Sequence, residues 1–346
     1  MKKLIILLLI LPFMLISVSA MEFTAPEVPQ IGEDKMPPSY DSFGEGLWYV
    51  IKAALATLQP GFVSACASCM SMIAVMLLGS LVRGISACQD KTIRLIETLM
   101  LTCLFLQSAE TFISLSAEVI YELSSYGKLL LPVMAASLAA QGGVTGAAGI
   151  YGGTLLFDSV LTSAITGLLI PMVYLFIALS VAGGAFASEG LKEGKSLVKW
   201  LMTWVLKIIL YVFTGYIGIT GVVSGSADAA AVKATKIAIS SFIPVVGNII
   251  SDASETILVS AGLMKNTVGI YGLLAVTAVW IGPFLQIGVQ YILLKLTAAA
   301  GGVVAGKEGI ALLRDFCSAM GFLLAMTGAV CLMLLISIVC FMKGVA

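Results

Sequence analysis

Histidine is absent from the whole chain of 346 residues. That absence excludes Ser-His-Asp and Cys-His nucleophilic sites, together with every metal site that needs an imidazole ligand. Charge is scarce too, because only 11% of the residues are Asp, Glu, Lys or Arg, against about 25% in soluble domains. The 19 basic and 19 acidic residues cancel, so no positive excess points to nucleic acid. With 60% hydrophobic residues, the sequence predicts an all-α polytopic membrane protein.

Cysteine is present, but its placement does not indicate a disulfide framework, since all seven cysteines lie in or beside apolar runs. Cys66 and Cys69 have the spacing of a CxxC redox pair, yet the surrounding FVSACASCMSMIAV is typical of a membrane span. Cysteine commonly serves there as a small buried apolar residue. A membrane thiol oxidoreductase that uses these two cysteines is therefore the least favoured functional hypothesis. The sequence predicts no catalytic residues, no cofactor and no metal.

The N-terminal part divides into two exported segments that precede a polytopic membrane domain at residues 61–346. Residues 1–20 carry two lysines, an apolar core and the small-residue site VSA, which together predict a cleaved signal peptide. Residues 21–60 form an exported acidic arm and an interfacial helix, and the acidic, proline-rich part at residues 21–45 is expected to be extended and mobile. The end of the arm, LWYVIKAALATL at residues 47–58, predicts an interfacial amphipathic helix.

Six apolar runs are long enough to cross a bilayer, which takes about 20 residues. The three loops that we expect inside the cell carry three basic residues each, in agreement with the positive-inside rule. This topology leaves the N-terminal arm, the C-terminus and a short loop with Glu118, Glu122 and Lys128 outside. The predicted spans are 61–82, 95–117, 154–184, 199–222, 268–296 and 318–342.

Residues 221–269 form an apolar segment that holds several charges and is broken by Pro244 and Gly247. A plain membrane helix is excluded, because unsatisfied backbone groups in hydrocarbon cost several kcal/mol unless protein or water satisfies them. We predict two short helices, one beginning near Ser226 and the other capped by Asp252, in a re-entrant or interfacial arrangement. The candidate pore-lining or assembly residues here are Lys236, Pro244, Gly247, Asn248, Asp252 and Glu255.

A second broken segment, LLLPVMAASLAAQGGVTGAAGIYGG at residues 129–153, has about a dozen apolar residues followed by six glycines. We predict that it enters and leaves the membrane on one side, because a crossing would put the next basic loop outside. Gly142, Gly143 and Gly146 are the candidate residues at this break.

Glycines also recur four residues apart, a spacing that lets membrane helices approach closely. We expect such close packing, within the chain or in a homo-oligomer, at the pairs Gly142/Gly146, Gly149/Gly153, Gly221/Gly225 and Gly302/Gly306.

Charges inside the spans are few. We interpret Lys207 as a lysine whose stem reaches toward the interface, and we do not expect it to pair with Asp158.

The two broken segments carry a resemblance to a known family. The run SADAAAVKATKIAISSFIPVVGNIISDASETILVSAGLMKNTVGIYG at residues 226–272 resembles the signature region of stage III sporulation protein AE of endospore-forming bacteria. LLLPVMAASLAAQGGVTGAAG at residues 129–149 is similar to the family's other recurrent block.

This resemblance implies a multi-pass protein of the mother-cell-derived outer forespore membrane, acting in a channel or secretion-like complex during sporulation. The implied partners are other membrane proteins of the same operon, a cytoplasmic ATPase and a channel protein of the forespore. A self-contained secondary transporter is the alternative, because paired Gly- or Pro-interrupted segments also mark transporter substrate sites.

Overall fold

The computed structural model describes the backbone of residues 25–39, 42–85, 90–186, 188–242, 247–302 and 306–343. Side chains are described over the same ranges except at residues 59, 60, 85, 90, 220–242 and 247–265. Nine α-helices lie within this part of the chain. They are α1 (Gln30–Glu33), α2 (Phe43–Ala56), α3 (Gln59–Ile85), α4 (Asp90–Ala140), α5 (Val144–Ala164), α6 (Ile170–Phe186), α7 (Glu189–Phe242), α8 (Gly247–Gly301) and α9 (Lys307–Lys343).

Six helical stretches among the described residues are long and apolar enough to cross a membrane, which confirms the all-helical prediction of about six spans. One of them combines α5 and α6 through a π-helical turn at Ile165–Leu169. The predicted signal peptide at residues 1–20 lies outside the described residues. The six stretches are Gly61–Gly84, Lys91–Ala140, Val144–Phe186, Glu189–Ile219, Asn266–Gly301 and Lys307–Lys343.

The loop predicted around Glu118, Glu122 and Lys128 is wrong, because these residues lie inside α4, while their placement outside the cell stays a prediction. Within this stretch, Val119, Ile120, Leu123 and Tyr126 are all at most 1% exposed. Their spacing places them along one face of a helix that packs on the core. At 1.5 Å per residue, α4 is about 75 Å long, so it extends well beyond a hydrocarbon layer of about 30 Å.

Residues 129–153 do not form a separate segment in the structure. The helix α4 continues through Pro132 and ends at Ala140, and α5 begins at Val144 after a short turn. The break is therefore confined to residues 141–143, and the later glycines lie in α5. The glycines of α5 remain helical because a continuous helix satisfies every backbone hydrogen-bonding group internally. The turn at residues 141–143 lies between two of the six stretches, and entry and exit of this segment on one side of the membrane stays a prediction.

The broken segment at 221–269 also differs from its prediction. No helix starts at Ser226, because α7 runs without interruption from Glu189 to Phe242. Asp252 is not a helix cap either, because α8 begins at Gly247 and continues to Gly301. The predicted short helices are thus the ends of two long ones, and Pro244 lies outside the described residues.

The described part of the N-terminal arm packs on the bundle, which corrects the expectation of an extended, mobile arm. Gly32 in α1 lies so close to α8 that an added Cβ would be 2.8 Å from the Val279 backbone nitrogen. Val28 and Met36 are partly buried against the core. Apolar residues placed between the acidic ones provide this contact. The predicted interfacial helix corresponds to α2, whose N-cap Ser42 accepts a hydrogen bond from the Glu45 backbone amide at 3.3 Å.

The core of the bundle is centred on α9, which packs on α4, α6 and α8. Phe316 of α9 stacks on Phe105 of α4, with ring centroids 3.9 Å apart. Further along α9, Phe322 contacts Phe176 of α6 edge to face at 5.7 Å. Contacts between aromatic rings add to the free energy gained by burying them. These contacts fix α4 and α6 against α9.

Candidate functional site

Three ion pairs connect four helices at the end of the bundle where α3 ends and α4, α7 and α9 begin. We call this region the ion-pair end. Each pair joins two different helices, so the pairs fix these helix ends relative to one another. The pairs are Arg83–Glu97, Arg94–Glu308 and Lys195–Asp315.

Glu97 is the most buried member of the ion-pair end, with a side chain that is 5% exposed. Its Oε2 accepts a hydrogen bond from Arg83 Nη1 at 2.6 Å. Two glycines leave room for its carboxylate, because a Cβ added at Gly79 or at Gly309 would lie 3.1 Å from it. On the other side of the pair, a Cβ at Gly306 would lie 3.2 Å from Arg83 Nη1. Small residues from α3 and the start of α9 therefore form the notch that holds this charged pair.

The ion-pair end gathers residues from the three basic loops that the sequence predicts on one side of the membrane. Arg83 and Arg94 flank the first loop, Lys195 follows the second, and Glu308 follows the third. Loops that contact one another through ion pairs lie on the same side of the bundle. This arrangement agrees with the predicted parity of the spans, and the assignment of that side to the cytoplasm stays a prediction.

A buried polar layer lies further along the bundle, between α4, α5 and α9. We define this hydroxyl layer as Ser124, Thr154, Asp158 and Ser337, each at most 2% exposed. Ser124 Oγ donates to Asp158 Oδ2 at 2.6 Å. Thr154 Oγ1 and Ser337 Oγ are 2.9 Å apart, and Ser337 Oγ also donates to the Met333 carbonyl oxygen at 2.9 Å. Since that bond uses the Ser337 proton, Thr154 is the donor between the two hydroxyls.

Asp158 is the chemically unusual member of the hydroxyl layer. Its second carboxylate oxygen, Oδ1, is buried and has no hydrogen-bond partner among the described residues. A buried polar atom without a partner loses its interaction with water and gains nothing in exchange. A carboxylate with a free oxygen inside a helix bundle is therefore a candidate position for binding a proton or a cation.

Beside the hydroxyl layer, α5 and α7 approach each other closely at two glycines. Tyr216 Oη of α7 donates to the Gly149 carbonyl oxygen at 3.0 Å. A Cβ added at Gly153 would lie 1.9 Å from Cε1 of the same tyrosine ring. This contact confirms intramolecular packing for the pair Gly149/Gly153.

The other glycine pairs have different outcomes. Gly142 lies in a turn, and Gly302 and Gly306 lie outside the helices α8 and α9, so neither pair packs two helix interiors. The pair Gly221/Gly225 lies where side chains are not described.

Of the predicted site residues, the structure describes the full surroundings of Gly142, Gly143 and Gly146. Gly142 has a φ of 94°, a left-handed conformation that favours glycine, and its backbone amide donates to the Ala139 carbonyl oxygen at 2.9 Å. Gly143 is the N-cap of α5, and Gly146 is buried on that helix. Gly142 and Gly143 therefore lie at the turn between α4 and α5, Gly146 lies in the first turn of α5, and the pore-lining role of all three stays a prediction.

The remaining predicted site residues are not described beyond their backbone. Gly247 is the first residue of α8, and Pro244 lies outside the described residues. The predictions for their side chains stay predictions. The other four, all placed on helices, are Lys236, Asn248, Asp252 and Glu255.

The residues considered as isolated charges or thiols lie apart from one another. Lys207 lines a cleft with Thr203 and Tyr291, away from the Ser124–Asp158 contact, in line with the prediction that Lys207 and Asp158 do not pair. Cys69 is 5% exposed and packs in the bundle, while Cys66 is half-buried. Among the described residues, no group of three or more acidic or cysteine side chains is placed to hold a metal ion.

Neither polar region is predicted from the sequence. Ser124 lies in the stretch that the sequence predicts as a loop, and a loop there gives no contact with Asp158. A helical reading of residues 118–128, based on their buried face, would have placed Ser124 inside the bundle. The ion pairs join residues up to 214 positions apart, as for Arg94 and Glu308, and no local pattern indicates such partners.

A curated relative and a family profile both relate this chain to the same family. The chain is 25% identical over 240 residues to the stage III sporulation protein AE of Bacillus subtilis (strain 168). The aligned part covers 69% of this chain and 60% of the relative's length. No solved structure matches. The sequence profile of the stage III sporulation protein AE family matches residues 47–344, and the chain therefore belongs to that family.

Proposed function

We propose that this protein is a membrane core component of a multi-protein, secretion-like channel complex between mother cell and forespore, required for late forespore development. The observation that carries the proposal is the extent of the family match. It begins at residue 47 and includes all six apolar helical stretches, but not the preceding arm. This extent supports a role carried by the membrane helices, as expected for a component that forms or lines a complex within a bilayer.

The proposed location is the mother-cell-derived outer forespore membrane, with the ion-pair end in the mother-cell cytoplasm and the α4–α5 turn on the other side. The proposed partners are other stage III sporulation operon membrane proteins, their ATPase and a forespore channel protein. A homo-oligomer is the further assembly that we propose, and the lipid bilayer surrounds it. We assign no catalytic reaction, cofactor or nucleic-acid partner to the protein.

The assembly is tested by chemical crosslinking in sporulating cells that carry a chromosomally tagged copy of this chain. We expect the membrane proteins and the ATPase of the same operon to be captured, and deletion of the gene to stop sporulation after engulfment. The matched control is an unrelated tagged multi-pass protein of the same membrane. Full spore yield in the deletion strain would contradict the proposal, as would equal capture of the operon proteins by the control.

The orientation is tested with single cysteines in a cysteine-free variant, using a thiol reagent that does not cross the membrane. We expect labelling at Ala253→Cys from outside and none at Ser196→Cys, which lies beside Lys195 of the ion-pair end. Labelling at position 196 from outside would reverse the proposed orientation.

A self-contained secondary transporter is the second candidate, and the free Oδ1 of buried Asp158 is the observation that favours it. Intramembrane carboxylates often take part in proton or cation transfer. Saturable uptake by vesicles that contain this protein alone, lost in Asp158→Asn, would support the transporter. Capture of the operon proteins without such uptake would support the channel component.

A further inference from the structure

A cleft opens between α7, α8 and α9 on the side of the bundle, with a volume of about 410 Å³. One wall is a face of α7 with Lys199, Thr203 and Lys207. The facing wall is α9, and Tyr291 of α8 closes the back. Lys199 and Lys207 are exposed, so the cleft is accessible from the surroundings of the protein.

The cleft is positively charged and has no acidic residue in its lining. Besides Lys199 and Lys207, Lys295 lies over the Tyr291 ring, with Nζ 5.7 Å from the centroid. None of these three lysines forms an ion pair with another described residue. At the ion-pair end nearby, by contrast, Lys195 is paired with Asp315. The lysines of the cleft therefore lack a protein counter-charge within the described part of the chain.

The aromatic residues of α7 indicate the depth of the cleft in the bilayer. Trp200 and Trp204 lie between the two lysines in sequence and are 54% and 50% exposed. Exposed tryptophans concentrate at the headgroup level of a membrane. This places Lys199 at the headgroups and Lys207, two turns further along α7, at the upper edge of the hydrocarbon. Long lysine stems allow both ammonium groups to reach toward one point near the interface.

Below the lysines the cleft becomes apolar. Its lining there includes Leu210 and Phe322, and Leu206 lies between the two lysines along α7. The adjacent outer surface of α7 is apolar as well, because Ile208 and Val212 are 47% and 54% exposed. A site with cations at the headgroup level and an apolar wall beneath them matches a molecule with an anionic head and a hydrocarbon tail.

We propose that this cleft binds one anionic phospholipid, with the phosphate between Lys199 and Lys207 and an acyl chain along the apolar wall. The hydroxyl groups of Thr203 and Ser318, which line the same cleft, are available to the headgroup oxygens. A soluble phosphate would use the lysines and leave the apolar wall without a role. The lipid uses both parts of the site. The inference is independent of the proposed function.

The test is native mass spectrometry of the full-length protein released from mixed micelles of phosphatidylglycerol and phosphatidylcholine in equal amounts. We expect the wild-type protein to retain one phosphatidylglycerol in preference to phosphatidylcholine. In Lys199→Gln/Lys207→Gln the preference should fall by about fivefold per lysine, the contribution of a basic residue near an anionic surface. The charge-matched control is Lys192→Gln/Lys307→Gln, which removes two exposed lysines outside the cleft lining and should keep the preference.

A second variant tests the contribution of the shape of the cleft apart from the charge of its lysines. Gly321 lines the cleft, and a Cβ there would lie 3.4 Å from Tyr291 Cε2, so Gly321→Leu should fill the space and remove the bound lipid with the lysines intact. Gly328→Leu, at an α9 position where an added Cβ meets nothing within 4 Å, is its control. The proposal is overturned if the wild-type protein shows no preference. It is also overturned if both double lysine variants lose the preference equally, or if Gly321→Leu binds as the wild type does.

Discussion

The ion-pair end and the hydroxyl layer both bring polar groups into a bundle of apolar helices, but they differ in chemistry. At the ion-pair end, full charges of opposite sign meet, and Arg83 keeps 23% exposure of its side chain. In the hydroxyl layer, Thr154 and Ser337 are fully buried and carry no charge. Hydroxyl groups can be buried more cheaply than ions because they find partners on the backbone of their own helix. Ser337 has such a bond to Met333.

This difference separates a stabilising region from a candidate functional one. Each charge at the ion-pair end has a partner on another helix, so removing one partner exposes the other to an unfavourable environment. Asp158 is the one ionisable residue of the hydroxyl layer, and its buried Oδ1 has no hydrogen-bond partner among the described residues. Glu97 also has a buried oxygen without a partner, Oε1, but its charge is paired with Arg83. Asp158 forms no ion pair with another described residue, and this makes it the candidate for binding or transfer.

The largest effect is expected next to the hydroxyl layer, at Gly153. Gly153→Leu should prevent close approach of α5 and α7, because even its Cβ would lie 1.9 Å from the Tyr216 ring. Displacing the ring also removes its hydrogen bond to Gly149. We expect a loss beyond the about 1–3 kcal/mol typical of overpacking. The measurement is the temperature at which the monodisperse fraction in detergent falls to one half.

The neighbouring Gly152 is the matched control, because a Cβ there meets nothing within 4 Å. Gly152→Leu should leave the midpoint temperature unchanged or raise it, since leucine is the better helix former. Equal losses in the two variants would mean that the α5–α7 contact is absent in solution.

The second largest effect is expected at the ion-pair end, with Glu97→Gln. The change leaves Arg83 without its counter-charge in the notch formed by Gly79 and Gly309. Breaking a fully buried pair costs about 3–5 kcal/mol, and we expect less because Arg83 retains partial contact with water. The same thermal measurement reports the loss. An unchanged midpoint would show that this pair does not hold α3 against α4.

A smaller effect is expected for Glu308→Gln in the same region. The Arg94–Glu308 pair is 3.3 Å long, and its side chains are 25% and 42% exposed. Exposed pairs contribute about 0–1 kcal/mol and are screened by salt. The variant should therefore differ from wild type only at low ionic strength. A loss of stability as large as that of Glu97→Gln would mean that the contribution of an ion pair does not increase with its burial here.

The six apolar stretches could be predicted from sequence because hydrocarbon sets a length and a composition that any crossing helix must meet. Helix ends were harder. Polar residues usually mark helix boundaries, and this rule predicts a cap at Asp252 and a loop at residues 118–128. In this chain they lie inside long helices. Helices of more than 50 residues extend beyond the bilayer, and their outer parts tolerate charge without ending.

Contacts between helices were predictable only where a local pattern requires them. The Gly149/Gly153 spacing indicated a close approach, and Tyr216 fills it. Nothing local links Ser124 to Asp158 or Lys195 to Asp315, because these partners come together only when the whole bundle packs. The predicted residues at Pro244 and Asp252 were chosen from the breaks in the apolar pattern, and their side chains lie outside the described residues.

The smallest effect on stability, and the sharpest test of the comparison, is expected for Asp158→Asn. Asparagine keeps an oxygen for the Ser124 hydroxyl and removes the buried charge, so the thermal midpoint should be unchanged or higher. If the hydroxyl layer is functional, spore yield should nevertheless fall while the protein level stays normal. Ser124→Ala is the contrasting variant, because it removes the donor and leaves the buried carboxylate with neither oxygen bonded, at a cost of about 1–3 kcal/mol. A destabilised Asp158→Asn variant with normal spore yield would reverse the assignment, since Asp158 would then be a structural residue like Glu97.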